Sequence, residues 1–262
     1  MCSFTQGKGF TMTDTWFIAV DPPETNLHED GFFLAKNPEP GIGLRLSVAT
    51  ILPPLPPYKF SRDTLENNAY RVLGEPGNFH LFSSQKASAH SLNSHEPRAV
   101  ICAVYEMRED GFFTETIQLT EGRAFCCTYE EFRRQKDFSK NKQSLEQFIL
   151  QFPHIYYKYK NPSLHTNNWR NQVTEERVLT SALLALLNKT LSAYCQKVKL
   201  QTLIKSGFGL SFRIHNDAVF TGPLRKFEAL VNVVNLHACL NDKPIPFTET
   251  EIRALGLEFQ TT

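Results

Sequence analysis

Apolar positions fall into two regimes along this chain. Up to about residue 130 they come as short runs, each closed by turn residues: 16–20 before Asp21-Pro22-Pro23, 31–35 before Asn37-Pro38, and 44–52 before Pro53-Pro54-Leu55-Pro56-Pro57. Such spacing predicts strands. The stretch 99–107 is apolar at nearly every position, from Val100 to Tyr105, and predicts a strand buried on both faces. The proline run predicts an extended surface crossing, and Ser61 a cap for a short helix after it.

Beyond residue 130 the period changes. A short helix is predicted over 144–152, and a long one from a Thr174 cap to about Ile204, with apolar residues every three or four positions from Val178 to Val198. At 1.5 Å per residue the long helix spans roughly 45 Å, which predicts a break near Asn188 or Thr190 and a stop at Gly207. A hairpin is expected from 209–214 and 218–221 around His215-Asn216-Asp217. A helix is expected from Pro223 to Leu240, and a last one from Thr248 to Leu255, where Glu251 completes a capping box. The alternating Tyr156-Tyr157-Lys158-Tyr159-Lys160 reads as an amphipathic strand, or as a surface that docks a partner or stacks bases.

The pattern defines an α+β protein in which a strand-rich N-terminal half packs on a helix-rich C-terminal half. The expected organisation is a single compact domain over 1–262 with two lobes, about 1–130 and about 131–262. Composition agrees: 41% of the residues are hydrophobic and 21% charged, which is globular rather than disordered. Lys and Arg number 28 against 27 Asp and Glu, so the net charge of +1 gives no broad positive field and argues against nucleic acid as the default partner. The six cysteines are scattered without a C-x-x-C motif, which suits a reducing compartment. Residues 1–6 do not read as a secretory signal, and the longest apolar run, 182–187, is short of the ~20 residues of a membrane span. The expected location is cytoplasmic, or a host cytoplasm into which the protein is delivered.

Three pieces carry candidate chemistry. Tyr70-Arg71 supplies a guanidinium that can fork onto phosphate or ribose oxygens, with Arg45 in Leu44-Arg45-Leu46-Ser47 as the alternative. Phe82-Ser83-Ser84 follows, and then a strand bearing Tyr105. In this order they resemble the Arg/Ser/Glu class of mono-ADP-ribosyltransferases, the group of cholera-like and pertussis-like toxins, over about a fifth of the chain. The resemblance implies an NAD-dependent transferase that modifies a protein target. Arg71 or Arg45, Ser83, Ser84 and Tyr105 would then bind NAD, and Glu115 would be the catalytic carboxylate. The bland alternative for the same residues is a surface ion pair at Arg71, a helix cap at Ser83-Ser84, and a core tyrosine at Tyr105.

Two other classes stay open. One is a non-catalytic protein-interaction module using the Pro53–Pro57 edge and the Tyr156–Tyr159 surface. The other is a cysteine-dependent hydrolase or transferase in which Cys126 or Cys127 works with His80, His154, His165 or His215 and an orienter such as Asp217. The histidines show no metal-binding spacing, so no metal is expected. Gly41-Ile42-Gly43 and Gly207-Phe208-Gly209 read as strand-entry turns. The basic cluster from Arg133 to Lys142 reads as a solvated helix face.

Overall fold

The strand-rich half closes on itself. In the computed structural model, which describes residues 15–23, 25–53, 81–82, 84–134, 136–160, 174–206 and 209–254, five strands form a barrel. They are β1 (Thr15–Asp21), β2 (Asp30–Glu39), β3 (Ile42–Ile51), β4 (Arg98–Arg108) and β5 (Phe113–Thr128). Each neighbouring pair is antiparallel except β1 with β5, which run parallel from Thr15↔Gly122 to Asp21↔Thr128 and complete the circuit. Four of these strands stand where the apolar runs place them. The fifth, β5, was not expected. Gly122 is required within it: a Cβ there would overlap the Phe17 ring, so only glycine lets β5 close against β1.

Strand alternation gives the barrel wall two apolar faces. On β4, Ile101, Ala103 and Tyr105 pack with helices, while Val100, Cys102 and Val104 belong to a second cluster; all six are buried, as the unbroken apolar run requires. Among the described residues the helices are α1 (Ser84–His90), which lies between β3 and β4, and after the barrel α2 (Tyr129–Arg134), α3 (Lys136–Ile149), α4 (Pro153–Lys160), α5 (Glu175–Lys197), α6 (Phe227–Leu240) and α7 (Glu249–Ala254). A hairpin of β6 (Thr202–Ser206) and β7 (Gly209–Arg213) precedes α6. The strand-rich and helix-rich halves of the α+β reading are thus present.

Helix α5 is the pillar of the first cluster, burying Leu179, Ala182, Leu183, Leu186, Leu187 and Leu191 against the barrel. Its Thr174 cap accepts from the Arg177 N–H at 3.3 Å. It runs unbroken past Asn188 and Thr190. It ends at Val198, where Lys199 adopts φ 57° and turns the chain, so Ile204 belongs to β6 and not to the helix. By length and composition alone α5 would suit a membrane, but 67% of its most apolar window is buried within the protein.

Buried asparagines tie irregular backbone to helices. Asn232 accepts from the Leu203 N–H at 2.7 Å and donates to the carbonyls of Leu203 and Val219 at 3.0 Å each. Asn188 accepts from the N–H groups of Phe220 (2.8 Å) and Thr221 (3.2 Å). Because side chains take these backbone groups, 218–221 is not the second arm of the expected hairpin; β6 fills that place. The Tyr156–Lys160 alternation misleads in the same region. Ile155 and Tyr159, four residues apart, both turn inward, which makes the segment a helix and not a strand. The capping box at Thr248 and Glu251 is formed, with the Thr248 N–H donating to Glu251 at 2.7 Å. The helix expected at Ser61 and most of the proline run lie outside the described residues.

Leu187→Ala opens a cavity between α5 and the barrel, and the expected loss is about 2–5 kcal/mol. Urea unfolding checks it through a lowered midpoint at unchanged slope.

Candidate functional site

The residues singled out from the sequence separate in space. Tyr105 and Glu115 are register partners across β4 and β5 and share one face. The buried Tyr105 hydroxyl pairs with Thr190 Oγ1 at 2.8 Å, and Thr190 also hydrogen-bonds Glu115. Burial raises the Glu115 carboxyl, opposed by that hydrogen bond and by the Lys189 charge. Arg45 faces the other way: it is the register partner of Glu106, next to the Leu46↔Tyr105 pair, and its guanidinium is held by Glu106 (2.6 Å) and Glu39 (2.9 Å). The fold does not bring Arg45 and Glu115 to one cleft. Ser84 opens α1, and Arg71 and Ser83 lie outside the described residues.

What the barrel does assemble is a carboxylate cluster at the end of β1 and the start of β2. Glu29 is buried yet fully engaged, accepting from the Leu224 N–H at 2.5 Å and from Arg225 Nε. Burial drives its carboxyl upward while Arg225 pulls it down. Its neighbour Asp30 is raised to about 7, first by burial and then by the Glu29 charge, and its Oδ1 has no hydrogen-bond partner. Asp21, on β1, holds His28 Nδ1 at 2.8 Å. Hydrogen bonds to Asp21 and then to Cys126 raise His28 to about 9. Asp21, Asp30 and Arg225 line a cavity of about 60 Å³ with Val20, Thr180 and Leu183. The three carboxylates thus stand among protein cations: Arg225, Lys226 and the His28 imidazolium. Asp21-Pro22 reads from sequence only as a turn. Nothing local in Glu29 announces a partner 196 positions away.

A larger opening lies further along α5. Its volume is about 550 Å³, and it is bounded by α4, α5 and the segment 216–219. His154 and Lys158 on α4 face Asn188 and Lys189 on α5, and the Lys189 ammonium donates to His154 Nε2 at 2.6 Å. Outside it, Tyr157 is 57% exposed and Lys160 sits 5.5 Å from the Tyr156 ring centroid. Among the described residues no three His, Cys, Asp or Glu side chains are disposed to hold a metal ion.

Neither a protein-family model nor a curated sequence matches the chain. Solved structures match its fold. An active-site mutant of the Dss1 exoribonuclease from Candida glabrata superimposes with a TM-score of 0.68 at 15% identity, over 95% of this chain and 43% of that one. RNase R of Mycoplasma genitalium, in complex with double-stranded RNA, gives 0.57 at 14% identity, over 97% and 63%. Yeast Ssd1, described as a pseudonuclease, gives 0.68 at 9% identity, over 97% and 43%. The chain therefore has an exoribonuclease-like fold, and it spans less than two-thirds of each of these proteins.

This finding overturns the ADP-ribosyltransferase resemblance and, with it, the toxin-like transferase activity. A guanidinium, a serine pair and a tyrosine strand are common enough to occur in order on an unrelated barrel. The NAD expectation rested on that resemblance alone. The interaction-module and cysteine-hydrolase readings give way as well. His154 is engaged with Lys189, His215 lies beside Asp217 at 3.9 Å, and His80 and His165 are outside the described residues. The default against nucleic acid also falls, since one protein of this fold is seen on RNA. Net charge averages over a whole chain, whereas phosphate is met by a few cations on one face.

Arg225→Ala leaves Glu29 buried without its cation. The expected cost is about 3–5 kcal/mol, largely restored in the Glu29→Gln/Arg225→Met double variant, as chemical denaturation would measure. Because the folded His28 is raised from 6.5 to about 9, its stabilisation is complete below pH 6.5 and is lost as pH rises through 9. Asp30, raised from 3.8 to about 7, withdraws stability as pH climbs from 4 past 7. Melting temperature is therefore expected to fall from pH 6 to pH 9.5 in the wild type, to fall less in His28→Gln, and to rise in Asp30→Asn relative to wild type at pH 8.

Proposed function

We propose that this protein binds single-stranded RNA and holds it without cleaving it, acting as one body over residues 1–262. The observation that carries the reading is the fold match over nearly the whole chain to exoribonucleases and a pseudonuclease, one of them bound to RNA. The arrangement of the carboxylates supports the non-cleaving half. Both oxygens of Glu29 serve the fold and Asp21 is committed to His28, so two of the three carboxylates are spent on internal ion pairs. The Glu29 to Arg225 bond and the Asn188 clamp support the single body, because each joins distant parts of the sequence.

The cleft of α4 and α5 supports the binding half. Lys158 and Lys189 line it and offer ammonium groups to phosphates, and outside it Lys160 and the exposed Tyr157 ring, on which a base can stack, extend the surface. An opening of about 550 Å³ accepts an unstacked nucleotide and is too confined for a duplex. A cytoplasmic site of action fits an RNA partner and the unbridged thiols Cys102, Cys126, Cys127, Cys195 and Cys239.

The test is titration of a labelled single-stranded RNA at several salt concentrations. Wild type is expected to bind, and Lys158→Ala/Lys189→Ala to bind more weakly with a salt slope shallower by roughly 0.7 per lost phosphate contact. Tyr157→Ala is expected to cost about 1–3 kcal/mol. Absence of binding by the wild type contradicts the proposal.

A further inference from the structure

The cations that tie the fold together are paired with carboxylates. Arg45 is held by Glu39 and Glu106, Arg133 and Lys142 by Glu176, and Arg225 by Glu29. Lys158 and Lys189 are not: both line the opening of about 550 Å³ between α4 and α5, and among the described residues no carboxylate forms an ion pair with either.

Their placement is specific. His154 and Lys158 stand four residues apart on α4 and so share one face, and Lys189 reaches them from α5. The Lys189 ammonium donates to His154 Nε2 at 2.6 Å. An ammonium has donors only, three of them, so the imidazole nitrogen accepts and fixes where the charge sits. Lys189 keeps its other N–H groups for a ligand, and Lys158 commits none to the protein among the described residues. The floor between them is apolar, formed by Ile155, Ala185, Ala218 and Val219. On the third wall, the segment 216–219, Asp217 holds a carboxylate that is 87% exposed and 3.9 Å from His215 Nδ1.

We propose that this cleft is a site for the terminal phosphomonoester of an RNA strand, held by Lys158 and Lys189, with His154 as the positioning residue for Lys189. Two lysines without carboxylate partners suit the charge of a monoester, about −1.5 to −2 at pH 7, better than the single charge of a backbone diester. A monoester also presents three terminal oxygens to the ammonium donors, whereas an internal phosphate has given one of them to the next sugar. The apolar floor takes the sugar and base of the end nucleotide. The strand leaves across α4, where Tyr157 is exposed. On the opposite side Asp217 repels the phosphate of any strand that runs on past the site. The cleft therefore reads the end of a strand and not its middle. This inference rests on the RNA-binding reading and adds which part of the RNA enters the opening.

The experiment titrates the intact protein, by fluorescence anisotropy at fixed salt, into single-stranded RNAs of one sequence with an internal fluorophore and either a 5′-phosphate, a 3′-phosphate or hydroxyls at both ends. At least one phosphorylated strand is expected to bind roughly 10-fold more tightly than the hydroxyl strand, the scale of a charge-assisted hydrogen bond, and which strand does so identifies the end. Lys158→Gln/Lys189→Gln is expected to abolish the preference. His154→Ala is expected to shrink it, and His154→Gln, whose amide oxygen also accepts, to keep most of it. Thermal melting confirms that each variant is folded. On wild type alone, saturating inorganic phosphate at matched ionic strength is expected to erase the preference. Equal binding of all three strands by wild type, a preference untouched by inorganic phosphate, or one that survives in the folded double-lysine variant overturns this inference and leaves RNA binding standing. Binding of no strand at all overturns both.

Discussion

A buried carboxylate bound across the length of the chain is the constraint on which this architecture turns. Glu29 lies where β2 begins, and its oxygens receive the Leu224 N–H and the Arg225 guanidinium from the segment that enters α6. An ion taken so far from water is tolerated only when its partners are in place. The barrel therefore requires the C-terminal half, and that half is oriented by the barrel. Asp21, His28 and Asp30 are arranged around the same point. The electrostatics of the barrel mouth are then a property of the fold itself.

The second organising element is α5, whose successive turns serve different neighbours. Thr180, Leu183 and Leu184 wall the small cavity at the carboxylates, and Asn188 and Lys189 wall the wider cleft facing α4. One residue beyond Lys189, Thr190 joins the Tyr105 hydroxyl to Glu115 and carries a polar link through an otherwise apolar core. A pillar this well buried fixes the spacing of both openings.

Much of the scaffold was legible in the sequence. Turn residues after each apolar run placed β1, β2 and β3, and the unbroken apolar stretch placed β4. Thr174 and Thr248 marked true helix starts because a cap is a local hydrogen bond. β5 escaped notice because polar Thr and Glu residues run through it, even at buried Thr120, and Gly122 interrupts its pattern, for a reason that lies on β1. The Tyr/Lys alternation at 156–160 imitated a strand, but Ile155 is buried and Tyr156 and Tyr159 pack on the core, which leaves Tyr157 as its exposed ring. The site was largely illegible. Arg45 and Glu115 belong to opposite faces, and Asp21, Glu29, Asp30 and Arg225 meet only through closure of the barrel and the return of a distant segment.

An exoribonuclease-like fold carries here a cluster in which Asp21 and Glu29 are spent on internal ion pairs, and the function proposed from it is binding without cleavage. The direct measurement is to incubate the purified protein with a 5′-labelled single-stranded RNA and magnesium, recover the bound fraction, and resolve the RNA by length. The account predicts bound RNA of unchanged length. A ladder of shortened products, or no bound RNA at all, would contradict it.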